Sequence, residues 1–195
     1  MGTLKTTNIQ SISGSGTVTL GVSGETFDIP SGVTLDSTGA TITGALTMTP
    51  AFEAQRPQSV QVVTDNTNTK VQFSTENFDS DSCYDNSSNY RFTPNVAGKY
   101  FVYARIMCRA ESNGELIVAV VSLQKNGTTI GSSRFDNNSE KVNNKTPVIS
   151  QIVDMNGSSD YVECFGQVDV GSGAAQFYND SDERTIFGAY KLIGV

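Results

Sequence analysis

Three carboxylates stand close together in Asp79-Ser80-Asp81-Ser82-Cys83-Tyr84-Asp85. Hard oxygen ligands at alternating positions suit calcium. Asp79, Asp81 and Asp85 are therefore the candidate metal ligands, and calcium is the one cofactor the residues suggest. The run lacks the Gly and closing Glu of a helix-loop-helix calcium site, so a solvated acidic loop is the competing reading. Asn179-Asp180-Ser181-Asp182-Glu183 is a second acidic loop of the same kind. Glu111 with Glu115, or Asp79 with Asp81, is the remaining route to acid–base chemistry, of the sort that cleaves glycosides. The chain has no His, which removes Ser-His and Cys-His nucleophilic systems and His-ligated zinc. No phosphate-cradling Gly loop precedes a helix, so the expectation is a chain that catalyses nothing. Tyr84, Tyr90, Phe135 and Tyr178 lie near loops. There they can stack on sugar rings or dock on a protein, or else belong to a core or a subunit interface.

The elements that must position these residues read as strands. Charged residues are 17% and hydrophobic residues 37% of 195, which is neither a disordered nor a membrane composition. The surface falls to Ser, Thr, Asn and Gly. The formal net charge of −7 comes with scattered Lys and Arg, which argues against nucleic-acid binding. No apolar run reaches the roughly 20 residues of a membrane span, so no membrane insertion is expected. Residues 1–30 carry no secretory pattern. Folding in a cytoplasm is the simpler account, with the Asn-x-Ser/Thr sites unmodified. Cys83, Cys108 and Cys164 have neither metal nor redox spacing and read as reduced thiols at partly buried strand positions.

Composition changes near residue 50. Residues 1–49 hold a single aromatic, Phe27, and alternating pieces such as Val18-Thr19-Leu20-Gly21-Val22 and Ala40-Thr41-Ile42-Thr43 between frequent glycines. One copy of such strands cannot bury enough surface to offset a backbone entropy of roughly 1–2 kcal/mol per residue. The expectation is an N-terminal β-stem, interwoven among three copies, ahead of a head at 50–195. Expected head strands are Ala51–Arg56, Thr69–Thr75, Tyr90–Thr93, Gly98–Ala110, Leu116–Lys125, Thr128–Phe135, Pro147–Met155, Asp160–Val168 and Thr185–Ile193. Asn126-Gly127 marks a two-residue hairpin. Within Lys99–Met107, alternation puts Tyr100, Val102, Ala104 and Ile106 on one face and Phe101, Tyr103, Arg105 and Met107 on the other. Both faces carry apolar groups, as in a strand covered by a sandwich and by a neighbouring subunit. Many strands and no helical period give an all-β jelly-roll sandwich.

Several motifs in 51–195 resemble a known family. Phe92, Gly98 and Tyr100 keep a Phe-x5-Gly-x-Tyr spacing, preceded by Tyr84-Asp85. Leu123-Gln124-Lys125-Asn126-Gly127 looks like a Leu-x-Lys-Asn-Gly hairpin, and Asp160-Tyr161-Val162 like an Asp-x-Val strand start. Thr185-Ile186-Phe187-Gly188-Ala189-Tyr190-Lys191-Leu192 closes the pattern. These are similar to the globular head of complement component 1q and its tumour-necrosis-factor-like relatives. Val102 and Ala104 stand where that family usually has aromatics, and no collagen-like stalk precedes the head. The resemblance implies a homotrimeric, ligand-binding, non-enzymatic jelly roll. Tyr100, Val102, Tyr103, Ile117, Val121, Phe187 and Tyr190 would then lie in its core or trimer interface. Residues 1–49 look like the stems of tailed-phage fibres and spikes. The functional expectation is a structural virion protein, a short trimeric fibre or spike. It would join other virion proteins through its N-terminal segment and meet a host-surface glycan or protein with its head, or simply decorate the particle. A bacterial surface or exosporium-like adhesin and a polysaccharide-degrading spike are the alternatives.

Overall fold

The computed structural model describes residues 48–111, 113–137 and 141–193. The N-terminal stem, expected over residues 1–49, lies outside the described residues except for Met48 and Thr49. The described residues form strands β1 (Ala51–Gln55), β2 (Val60–Val62), β3 (Thr69–Lys70), β4 (Thr75–Asp79), β5 (Tyr84–Asp85), β6 (Arg91–Phe92), β7 (Ala97–Arg105) and β8 (Met107–Ala110). There follow β9 (Glu115–Lys125), β10 (Thr128–Asp136), β11 (Asn144–Lys145), β12 (Val148–Asn156), β13 (Val162–Ser172), β14 (Ala175–Tyr178) and β15 (Ile186–Lys191). One sheet runs β12-β7-β15-β1-β4, a second runs β10-β9-β13-β6-β5 with β3 also on β13, and a third runs β11-β8-β14-β2. The paired strands are antiparallel, as β1 with β15 and β9 with β13. The described residues form an all-β sandwich, as the alternation requires.

The core forms where the sheets face each other. Phe52 stacks on Tyr84 at 4.5 Å and on Phe92 at 4.7 Å, and meets the edge of Phe187 at 5.0 Å. Tyr100, Val102, Ala104 and Ile106 are all buried, so the inward face of β7 is the one its alternation marks. Val102 and Ala104 fill, with smaller groups, core positions that larger side chains would crowd. The β9–β10 hairpin turns at Asn126 (φ 50°) and Gly127 (φ 78°), a left-handed pair that matches the right-handed strand twist.

Four elements depart from the expected strands. Gly98–Ala110 breaks at Ile106, so that β7 pairs with β12 and β15 while β8 pairs with β11 and β14 in another sheet. Thr69–Thr75 is not one strand: Thr69 and Lys70 pair with β13, and from Thr75 the chain pairs with β1. The stretch between crosses from one sheet to the other, with Val71 and Phe73 fully buried on the way. Tyr90 lies outside β6 with φ 51°. In β9, Leu116 faces inward, yet so do Ala119, Val121 and Leu123. The register against β13 steps from Val118 to Leu116, leaving Ile117 as an extra, bulged residue that reverses the alternation.

Candidate functional site

The acidic loop is built from separate turns. Asp79 Oδ1 accepts the N–H of Cys83 at 3.1 Å, and Oδ2 accepts that of Tyr84 at 2.9 Å. Asp81 accepts the Ser80 hydroxyl at 2.6 Å. Asp85 accepts the N–H groups of Ser87, Ser88 and Asn89 at 3.0, 2.9 and 3.1 Å, and the Asn89 amide at 2.7 Å. The Ser88 and Ser87 N–H bonds hold its carboxyl well below the usual carboxylate range. The lone pairs expected to bind calcium are directed at the loop's own groups, backbone N–H for Asp79 and Asp85 and the Ser80 hydroxyl for Asp81. Among the described residues no three acidic, Cys or His side chains converge as a metal site.

The aromatic candidates separate by burial. Tyr84 is a core residue, 6% exposed, and its hydroxyl donates to the Phe73 carbonyl at 3.0 Å. Burial pushes that phenol far up from its ordinary value, so Tyr84 presents no surface to a receptor. Tyr90 is half-buried beside β6. Phe135 packs partly against the core under the Lys145 ammonium, 4.8 Å from its ring centre. The Arg109 guanidinium lies 4.0 Å over the Tyr178 ring while donating to Gln176 Oε1 at 2.8 and 3.1 Å. Phe135 and Tyr178 therefore each have one face covered by a cation.

The expected core and interface residues also divide. Tyr100, Val102, Val121 and Phe187 are fully buried. The Tyr100 hydroxyl donates to the Val96 carbonyl at 2.7 Å, and burial pushes the phenol up to about 12. Ile117 sits half-buried on its bulge. Tyr103 and Tyr190 lie on the outward face of the β12-β7-β15-β1-β4 sheet. Register aligns Ile152, Phe101, Tyr190 and Ala51 across that face, and Val148, Arg105, Ile186 and Gln55 in another row. Phe101 lies 5.5 Å from Tyr190 and 6.1 Å from Tyr103. Tyr103 bends over Gly188 to donate to Glu53 Oε2 at 2.6 Å. A side chain at Gly188 would start 2.5 Å from the Tyr103 ring. Val148 and Ile152 are 61% and 62% exposed.

A second feature is absent from the sequence reading. Arg56 follows β1 and is only 3% exposed. Its Nη1 donates to Gln61 Oε1 at 2.8 Å and its Nη2 to Ser59 Oγ at 3.3 Å, while Nε has no partner. Among the described residues it makes no ion pair. Desolvation lowers its pKa from the ordinary 12.5, but guanidinium stays charged in proteins. Its backbone is fixed by fully buried Asn179 and Thr185: Asn179 Nδ2 donates to the Arg56 carbonyl at 2.6 Å, and the Arg56 N–H donates to the Thr185 carbonyl at 3.2 Å. Arg56 lines a cavity of about 300 Å³ with Gln55, Pro57, Gln58, Thr75 and Glu183. The signal was available: Phe52, Ala54 and Arg56 share one parity in β1 and its extension, so a strand through Arg56 must turn a charge inward.

No protein-family model matches the sequence, and no curated protein matches it. Solved structures do. The globular domain of zebrafish complement 1qA is 15% identical, covering 73% of this chain and 97% of that one, with a TM-score of 0.52. Eiger TNF from S. frugiperda is 11% identical, covering 74% and 93%, at 0.51. The fold is the jelly roll of these proteins. Murine APRIL, crystallised at pH 5.0, matches at 12% identity over 73% of this chain and 98% of that one, at 0.50. At such identities the likeness concerns the fold alone.

Proposed function

We propose that this chain is a non-catalytic structural protein of a tailed-phage virion. It assembles as a homotrimeric fibre or spike, with residues 1–49 as the stem joined to the particle and the jelly roll as the exposed head. The observation that carries the trimer is the outward face of the β12-β7-β15-β1-β4 sheet. Phe101, Tyr103 and Tyr190 cluster there, flanked by exposed Val148 and Ile152. On the same face Arg105 keeps a buried Nε without a partner. Contiguous aromatic and aliphatic surface of this kind marks an interaction face. A second copy would cover it. The particle role is supported by the Gly/Thr/Ser-rich alternating stem sequence, which suits a three-fold structure continuous with a three-fold head. Attachment would be multivalent: three weak sites act together through effective concentration.

Sedimentation equilibrium of the full chain tests the assembly, and a trimer is expected. Immunogold labelling of purified virions from the source phage, with antibody to the head, tests the particle role. Label at discrete tail or capsid positions is expected. A monomeric chain removes the trimer, and unlabelled particles remove the virion assignment.

A further inference from the structure

We infer that the seam between copies runs head to tail: Phe78 on the β4 rim of one copy seats against Val148 and Ile152 on the β12 rim of the next. The inference rests on the trimer proposed above and names the two surfaces that meet in it. Symmetry sets the requirement. A ring of three identical chains closes through a heterologous contact, in which two different patches of each copy meet. The face that turns toward the other copies must therefore offer two patches that differ.

The register of the β12-β7-β15-β1-β4 sheet supplies both. Ser150, Tyr103, Gly188, Glu53 and Phe78 align in one row across its outward face. Val148 and Ile152 flank Ser150 on the same side of β12. Among the described residues, Phe78, Val148 and Ile152 are the large hydrophobic side chains exposed on these strands, at 50%, 61% and 62%. Two stand on one rim and the aromatic one on the other. Phe78 lies about 19 Å from β12, four strand spacings away, too far to cover Ile152 in its own copy. Three sheets that face one axis meet rim against rim, and the rotation pairs unlike rims. The β4 rim is open to a neighbour: β4 ends the sheet, and Thr75, Glu76, Asn77 and Phe78 are exposed in succession.

The polar strip beside Phe78 is already satisfied. Gln55 Nε2 donates to Asn77 Oδ1 at 2.9 Å, Asn77 Nδ2 to Glu53 Oε1 at 2.8 Å, and the Tyr103 hydroxyl to Glu53 Oε2 at 2.6 Å. A neighbour that excludes water from these groups leaves the bonds in place, which keeps the cost of covering them low. An exposed aromatic ring bordered by such groups has the make-up of an interface anchor.

Cross-linking of the full chain tests the seam. Thr75 and Ser150 are exposed on the two rims, and replacing them leaves Phe78, Val148 and Ile152 untouched. The native cysteines are buried. A short bismaleimide cannot join the two positions within one copy, because four strand spacings separate them. Thr75→Cys/Ser150→Cys should give covalent trimers, and each single variant only monomer. In the unit 44–195, which holds the whole core, Phe78→Ala should weaken the trimer association constant about thousandfold, or about tenfold at each of three contacts. Its urea midpoint should not move, because the ring is half-exposed in the single chain. Four results would each overturn the seam: covalent dimers from a single variant, no covalent product from a double variant that sediments as a trimer, a monomeric parent 44–195 beside a trimeric full chain, or a parental association constant in Phe78→Ala. All four leave the trimer standing. A full chain that sediments as a monomer removes the trimer and this seam with it.

Discussion

The double substitution Val148→Thr/Ile152→Thr separates folding from assembly. Both side chains stand on the outward face of β12, opposite Arg105 and Phe101 of β7. They are 61% and 62% exposed in the single chain. Thr keeps the β-branch and the strand preference, so only apolar contact is removed. Full burial of an aliphatic side chain is worth about 1.5–3 kcal/mol, of which roughly 1–2 kcal/mol per residue is still to be gained at these exposures. Two residues per copy and three copies give about 6–12 kcal/mol per trimer, or about four to nine orders of magnitude in the association constant. Folding of the single chain should change by no more than about 0.5 kcal/mol, the usual range for surface positions. Sedimentation equilibrium reads the first quantity and urea unfolding of the dissociated head reads the second. The unit 44–195 is the object to use, because it holds the whole core without a stem that can trimerise independently. The expected result is a trimeric parent, a monomeric variant and matching single-chain unfolding free energies. A trimer that survives the double substitution refutes this face as the seam. A loss of single-chain stability much above 1 kcal/mol shows that the two side chains serve the fold instead.

Phe52→Ala should destabilise the head by about 3–5 kcal/mol in urea titration, since it empties the ring cluster and breaks the contacts to Tyr84, Phe92 and Phe187. Gly188→Ala puts a methyl 2.5 Å from the Tyr103 ring; a loss of about 1–3 kcal/mol is expected, together with a weakened trimer, read by thermal melting and sedimentation. Burial raises the Cys108 thiol to about 12 and Cys164 well above its ordinary value, so both should resist a thiol reagent at pH 8 until the protein is unfolded. Asp85, whose folded pKa is depressed, contributes stability that is complete above its unfolded pKa of about 3.9 and is lost as pH falls towards the folded value. Asp85→Asn should therefore flatten the acid limb of the melting-temperature profile below about pH 5, and an unchanged limb would assign that loss to other groups.

How much of this was legible follows from what each signal measures. Alternation measures which side of a strand is apolar, and it placed the inward face of β7 and the long strands β9, β10, β12 and β13. The Asn126-Gly127 pair fixed its hairpin because both residues need positive φ, a purely local demand. Strands of two to four residues, such as β2, β5, β11 and β14, escaped it because they span too few periods to show any. The bulge at Ile117 escaped for a different reason: an extra residue leaves the composition unchanged and only the partner strand reveals it. Tyr84 stayed open between surface and core because loop-like neighbours surround it in sequence, while Phe52, which buries it, lies more than thirty residues away.

Arg56 shows the same limit. Arginine is ordinarily an exposed residue, and nothing near Arg56 in sequence says otherwise except its parity with Phe52 and Ala54. Its burial depends on Asn179 and Thr185, which reach it only after β15 has paired with β1. The acidic loop is the opposite case. Its carboxylates are close in sequence and look like a ligand set, but short-range geometry lets Asp79 and Asp85 accept nearby backbone N–H groups and Asp81 the Ser80 hydroxyl first. Clustered acids next to turn residues are thus weak evidence for a metal, because the turn competes for the same lone pairs at no cost in chain entropy.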